Sequence, residues 1–104
     1  MKVAYHIRLR QEAETDLQLL YQGLVERGAS PSTARGYVNR IIGYVNSFDL
    51  FPKRGSVRNE LRQGLRIVGF ERRVSIAFIV DDDEQEVGVL RILYGGQQFE
   101  FGGE

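Results

Sequence analysis

The chain contains no cysteine and no tryptophan, and it has one histidine and two prolines among its 104 residues. Without cysteine there is no disulfide and no thiolate metal site. A Ser/His/Asp triad or a histidine-rich metal site would have to use His6, which sits in an alternating apolar/polar stretch, so neither metal nor cofactor is expected. No apolar run approaches the roughly 20 residues of a membrane helix. Met1-Lys2-Val3-Ala4-Tyr5-His6 leads directly into alternation without the apolar core of a signal peptide, so a cytoplasmic protein with no membrane partner is expected. Fourteen basic residues cancel fourteen acidic ones, and a net charge of zero argues against direct, general binding of nucleic acid.

The charge is absent only in sum. Lys53, Arg54, Arg58, Arg62, Arg66, Arg72 and Arg73 stand against only Glu60 and Glu71 between residues 53 and 73. From residue 81 onward, Arg91 alone faces Asp81, Asp82, Asp83, Glu84, Glu86, Glu100 and Glu104. A basic middle followed by an acidic end describes a polarised surface able to attract an acidic partner.

The length fits a single domain over residues 1–104, close to the size at which one core suffices. Val3, Tyr5, Ile7 and Leu9 alternate with polar residues, predicting a half-buried strand over 3–9. The period then changes. Ala13, Leu17, Leu20, Tyr21 and Leu24 recur at helical spacing, predicting a helix over 11–27 that Gly28 ends. Ser30-Pro31 is a helix start, and Ala34, Val38, Ile41, Val45 and Phe48 continue a second apolar stripe over 31–48. Two helices joined by three residues must run back along each other. Apolar runs near 65–70, 73–81 and 87–94, separated by turn-forming clusters, predict an antiparallel meander. The expected fold is α+β, in the order strand, helix, helix, three strands, with the helix hairpin on one face of an antiparallel sheet.

Those strands are apolar on both faces, so the face away from the helices, with Val68, Ala77, Ile79 and the side chains of Arg66 and Arg91, is expected to lie uncovered. Arginines in strands ask for an acidic partner. Arg66, Arg73 and Arg91 either pair with Glu60, Glu71 or Glu86 within the chain or contact an acidic protein segment or a phosphate backbone. Tyr94 ends the last strand, where an aromatic serves as core rim or as a proton donor or stacking surface. Asp81-Asp82-Asp83-Glu84 lacks the spacing of a calcium loop and reads as a hairpin turn. Gly95-Gly96 lacks the Lys-Ser/Thr of a phosphate loop and reads as a turn.

The order of elements, the Phe51-Pro52-Lys53-Arg54-Gly55 turn, the Glu60-Leu61-Arg62-Gln63-Gly64-Leu65-Arg66 segment and the closing Val89-Leu90-Arg91-Ile92-Leu93-Tyr94-Gly95 together resemble the ParE branch of the RelE/ParE toxin superfamily. Tyr94 replaces the histidine usual at that position. The resemblance covers essentially the whole chain and implies the toxin half of a type II toxin–antitoxin pair, neutralised by a ParD-like antitoxin and acting on DNA gyrase, with no cofactor. From the uncovered apolar face and the basic stretch, antitoxin or target binding is expected at Arg62, Arg66, Val68, Arg73, Ala77, Ile79, Arg91 and Tyr94. A RelE-like alternative is ribosome-dependent cleavage of messenger RNA, which would draw on Arg66, Arg73 and Tyr94 to activate the 2′-OH and protonate the leaving oxygen. Gln97-Gln98, where that branch supplies basic or aromatic groups, favours gyrase as target. A second alternative is a non-toxic module that only binds antitoxin.

Overall fold

The computed structural model describes residues 4–96, so the expected strand residue Val3 and the Gln97-Gln98 pair lie outside the described residues. Strand β1 (His6–Leu9) leads through Arg10 into helix α1 (Gln11–Glu26), whose first turn carries Glu12 and Glu14 at the positive end of the helix dipole. Gly28 ends it in the left-handed conformation, at φ +108°. At the start of α2 (Pro31–Asn46) the Ser30 hydroxyl accepts from the Thr33 N–H at 3.1 Å, with proline in the first turn. A 3-10 turn at Ser47–Asp49 buries Phe48. Strands β2 (Ser56–Val57), β3 (Arg66–Phe70), β4 (Val74–Asp81) and β5 (Glu86–Tyr94) follow.

The five strands form one sheet in the order β1-β5-β4-β3-β2. The expected meander accounts for β3, β4 and β5, and β2 extends it with a two-residue antiparallel strand that the sequence pattern does not announce. β1 departs from expectation: it runs parallel to β5, with His6 opposite Glu86 and Leu9 opposite Val89, so the sheet is mixed. The pair is joined through everything between them, and such a crossover permits the parallel direction that a tight turn forbids.

The helices cover one face. Ala13, Leu17 and Leu20 of α1 and Ile41 and Val45 of α2 meet Val74, Ile76, Phe78, Val87, Val89 and Ile92 of the sheet. Phe48 and Phe78 lie at the centre, fully buried with ring centroids 4.8 Å apart, and truncating either to alanine costs about 3–5 kcal/mol. Val68 faces Ile76 across β3–β4 and packs on this side, which corrects its expected place on the outer face.

That outer face is less bare than expected. Leu65 and Ala77 have no exposed surface, Leu90 is 6% exposed, and Ile67 and Ile79 pack around them as a second, smaller core. Two local features produce it. A register shift between Ala77 and Phe78 leaves Leu90 without an opposite residue on β4, and the loop after β2 returns with the Arg58 N–H bonded to the Leu65 carbonyl at 2.7 Å. Ala77, expected at a binding surface, is therefore interior.

Gly55 makes the return possible. Its φ is +72°, and a Cβ there would overlap the Ile67 carbonyl. Gly43, on the solvent side of α2, has nothing within 4 Å of where a Cβ would be. Opposite outcomes are expected in chemical denaturation: Gly55→Ala should lose roughly 2 kcal/mol or more from strain and clash, whereas Gly43→Ala should gain about 0.5–1 kcal/mol.

Candidate functional site

β5 is nine residues long, but β1 pairs with it only as far as Val89. Beyond that point α1 takes over the edge. Asp16 Oδ2 accepts from the Ile92 backbone N–H at 2.8 Å and from Arg91 Nε at 2.8 Å, while Oδ1 accepts from Arg91 Nη2 at 2.9 Å. The Asp16 side chain is 8% exposed, so this two-pronged pair satisfies an edge amide and a guanidinium largely out of water. Arg91 is thus committed within the chain, and to a partner outside the set expected for it.

The acidic residues proposed as partners are occupied elsewhere. Glu60 pairs with Arg58, Glu71 with Arg40 and Glu86 with Arg8. Much of the basic middle is likewise engaged. Lys53 reaches Asp82 at 2.8 Å, Arg54 donates to the carbonyls of Ser47 and Phe51 while stacking over Phe48, and Arg66 donates to the Arg54 carbonyl at 3.3 Å. Arg66 lies opposite Phe78 at the far end of the sheet from Tyr94. Arg62 lines a cavity of about 530 Å³ with Ile79 and Asp81, Asp82 and Asp83, which places it and half-buried Ile79 against acidic neighbours. The eight expected residues therefore do not form one site.

Tyr94 and Arg73 do come together. Tyr94 meets Tyr37 of α2 edge to face, with ring centroids 6.1 Å apart at 87°, and the Arg27 guanidinium lies 5.7 Å from its centroid. One cavity of about 320 Å³ beside it is lined by Leu24, Ala29, Thr33, Tyr37, Arg40, Glu71, Arg73 and Tyr94. A second, of about 300 Å³, is lined by Asp16, Leu19, Leu20, Gly23, Arg27, Ile92 and Tyr94. The β3–β4 turn that carries Glu71 and Arg73 is strained. Glu71 and Arg72 occupy the left-handed region at φ 48° and 68°, where glycine or asparagine is the usual occupant. The bidentate Arg40–Glu71 pair, at 2.9 and 3.0 Å, pins this turn to α2, and strain held by surrounding structure is characteristic of functional sites. Arg40 also holds the Glu71 carboxyl below its usual range, and burial pushes the Tyr37 hydroxyl above its own. Arg27 and Tyr37 were not singled out as site residues from sequence: Arg27 caps the end of α1 and Tyr37 belongs to the apolar stripe of α2 and packs against the core, so helix chemistry accounts for both.

The sequence profile described as the ParE toxin of the type II toxin–antitoxin system, parDE, matches residues 7–99. The chain belongs to the ParE toxin family. Solved structures agree with this placement. The chromosomal ParDE toxin–antitoxin system from P. aeruginosa matches this ParE-family toxin at 25% identity, covering 88% of it and 97% of that chain, with a TM-score of 0.74. The RelBE2 toxin–antitoxin complex from Mycobacterium tuberculosis shares the fold at 18% identity and a TM-score of 0.67, covering 93% of this chain and 98% of that one. The isolated E. coli RelE toxin shares it more distantly, at 10% identity and 0.52, over 91% and 88%. No curated protein matches the sequence. Two helices on a five-stranded mixed sheet, in this ParE-family order, are the fold these structures have in common.

Asp16→Ala should cost this ParE-family chain about 2–3 kcal/mol in urea denaturation, because it strands both a guanidinium and an edge N–H. Asp16→Asn should cost less, since its amide oxygen can still accept one of the two. A pH dependence follows from Asp82, whose carboxyl is held below its usual range first by Lys53 and then by the Tyr5 hydroxyl, which donates at 2.7 Å. A depressed folded-state pKa gives stability that is present above the ordinary aspartate range and is lost as pH falls through the depressed value. Lys53→Met should therefore flatten the acid limb of a plot of denaturation midpoint against pH.

Proposed function

We propose that this ParE-family toxin acts by inhibiting DNA gyrase and is neutralised by a ParD-like antitoxin. The observation that carries the choice of target is the chemistry around Tyr94. Cleaving RNA requires groups that exchange a proton near neutral pH. Glu71 is held anionic by Arg40, and Tyr37 holds its proton more tightly than an ordinary tyrosine, so neither is tuned for the task. His6 is exposed on β1 opposite Glu86 and lines neither cavity beside Tyr94. Arg66, which the nuclease reading needs beside Arg73 and Tyr94, lies at the other end of β3 and β4. A protein target recognised through surface shape is the reading these features favour, and the likeness to the ParDE system of P. aeruginosa supports it.

The antitoxin reading rests on family membership, and the RelBE2 complex is a further relative in fold that assembles with an antitoxin. Adding the purified chain to gyrase should lower supercoiling and accumulate cleaved DNA, and prior addition of the antitoxin should abolish both effects. Codon-specific RNA cuts on translating ribosomes, with gyrase unaffected, would overturn the choice of target and leave the family placement intact.

A further inference from the structure

Among the described residues, two guanidiniums beside Tyr94 make no ion pair. Arg27 lies over the tyrosine ring and folds back across Gly23, where a Cβ would sit 3.5 Å from its Nη2. Arg73 lines the neighbouring cavity. The carboxylates that line the two cavities, Asp16 and Glu71, are each taken by another arginine. Leu19 lies at the wall of the Arg27 cavity and is 59% exposed, an unusual position for leucine beside so much charge, with Leu20 and Ile92 lining the same space. Tyr94 is common to both cavities, so the surface runs from an apolar end at Leu19, past Arg27 and the ring, to a basic end at Arg73.

We infer that these two cavities form one groove that receives an acidic, partly apolar segment of the antitoxin. This rests on the antitoxin reading given above and locates it. An aliphatic or aromatic side chain of that segment packs on Leu19 and Leu20, and carboxylates bind Arg27 and Arg73, where a planar guanidinium can hold each one bidentately. The lining decides between protein and nucleic acid. Leu19, Leu20, Leu24 and Ile92 give the groove an apolar wall, and the committed carboxylates of Asp16 and Glu71 that line it repel a phosphate chain while a peptide can place its charges clear of them. The inference moves the contact from the outer sheet face, where Leu65 and Ala77 are already covered, to the face at which α1 and α2 meet the exit of β5.

The test uses the full chain and the short protein encoded beside its gene, with association and dissociation followed by biolayer interferometry. Arg27→Glu and Arg73→Glu should each weaken the complex by roughly tenfold or more, mainly through slower association that raised salt imitates in the wild type. Leu19→Glu should accelerate dissociation. Arg58→Glu, which makes the same charge change in the loop after β2, should stay within about twofold of wild type, and circular dichroism melts identify any variant that has lost its fold. Wild-type affinity in all three groove variants, with the wild-type complex intact, would overturn the groove and leave the antitoxin reading standing. No complex with the wild type would remove both. Tight binding of a short fluorescent RNA that depends on Arg27 and Arg73 would overturn the choice of a peptide occupant.

Discussion

The fold depends on how the edge of β5 is closed. This strand is the sheet's second member, yet the strand beside it stops after four residues because the chain turns into α1 at Gln11. A row of open amides in the middle of a packed molecule would be costly. α1 solves the problem with one carboxylate, since Asp16 takes the Ile92 N–H and the Arg91 guanidinium together. Fixing α1 in this way sets the position of the helix hairpin over the sheet. It also places Leu19 and Gly23, and Arg27 just past the helix end, beside Tyr94.

Among the described residues, four of the five ion pairs join separate segments of the chain. Asp82 joins Tyr5 and Lys53, so the acidic hairpin between β4 and β5 is tied to the chain before β1 and to the loop after α2. Arg40 fastens a strained turn, and Arg8 pairs across β1–β5. Each of these pairs is largely exposed and individually contributes little. Lys53–Asp82 joins the basic middle directly to the acidic end, and Arg8 and Arg40 each take up one further carboxylate. What remains uncommitted near Tyr94 is a small, local positive site.

The helices and the three long strands were legible because each is written in a local period. The Ser30-Pro31 start and the Gly28 stop fall where the structure has them. The direction of β1 was not legible, since alternation in His6–Leu9 is the same for a parallel and an antiparallel neighbour. Nor was the short β2. The faces of the sheet were read with an unbroken period of two. Val68 was grouped with Ala77 and Ile79, but which face of β3 meets the helices depends on its register with β4, which sets Val68 opposite Ile76; the register shift at Ala77/Phe78, which delivers Leu90 to the outer face, has no signature in composition. The partner of Arg91 lies 75 residues away on another element, beyond the reach of any local pattern. Of the site residues, Arg73 and Tyr94 could be singled out as an arginine and an aromatic at strand ends. Arg27 could not, because a cationic residue at the end of a helix is fully accounted for by ordinary helix chemistry.

The placement of β5 between β1 and β4 has a consequence for synthesis. The first strand and the helix hairpin leave the ribosome long before the strand that joins them to the rest of the sheet, since His6 pairs with Glu86. At about 5–20 residues per second, the apolar stripes of both helices wait several seconds for their sheet. Pairing across such a separation also folds slowly, because the loop must close before the contact is rewarded. The surface beside Tyr94 therefore comes into being only with the last strand. Anything that binds there is timed by the synthesis of β5 and not by that of the helices, although the helices supply most of the surface.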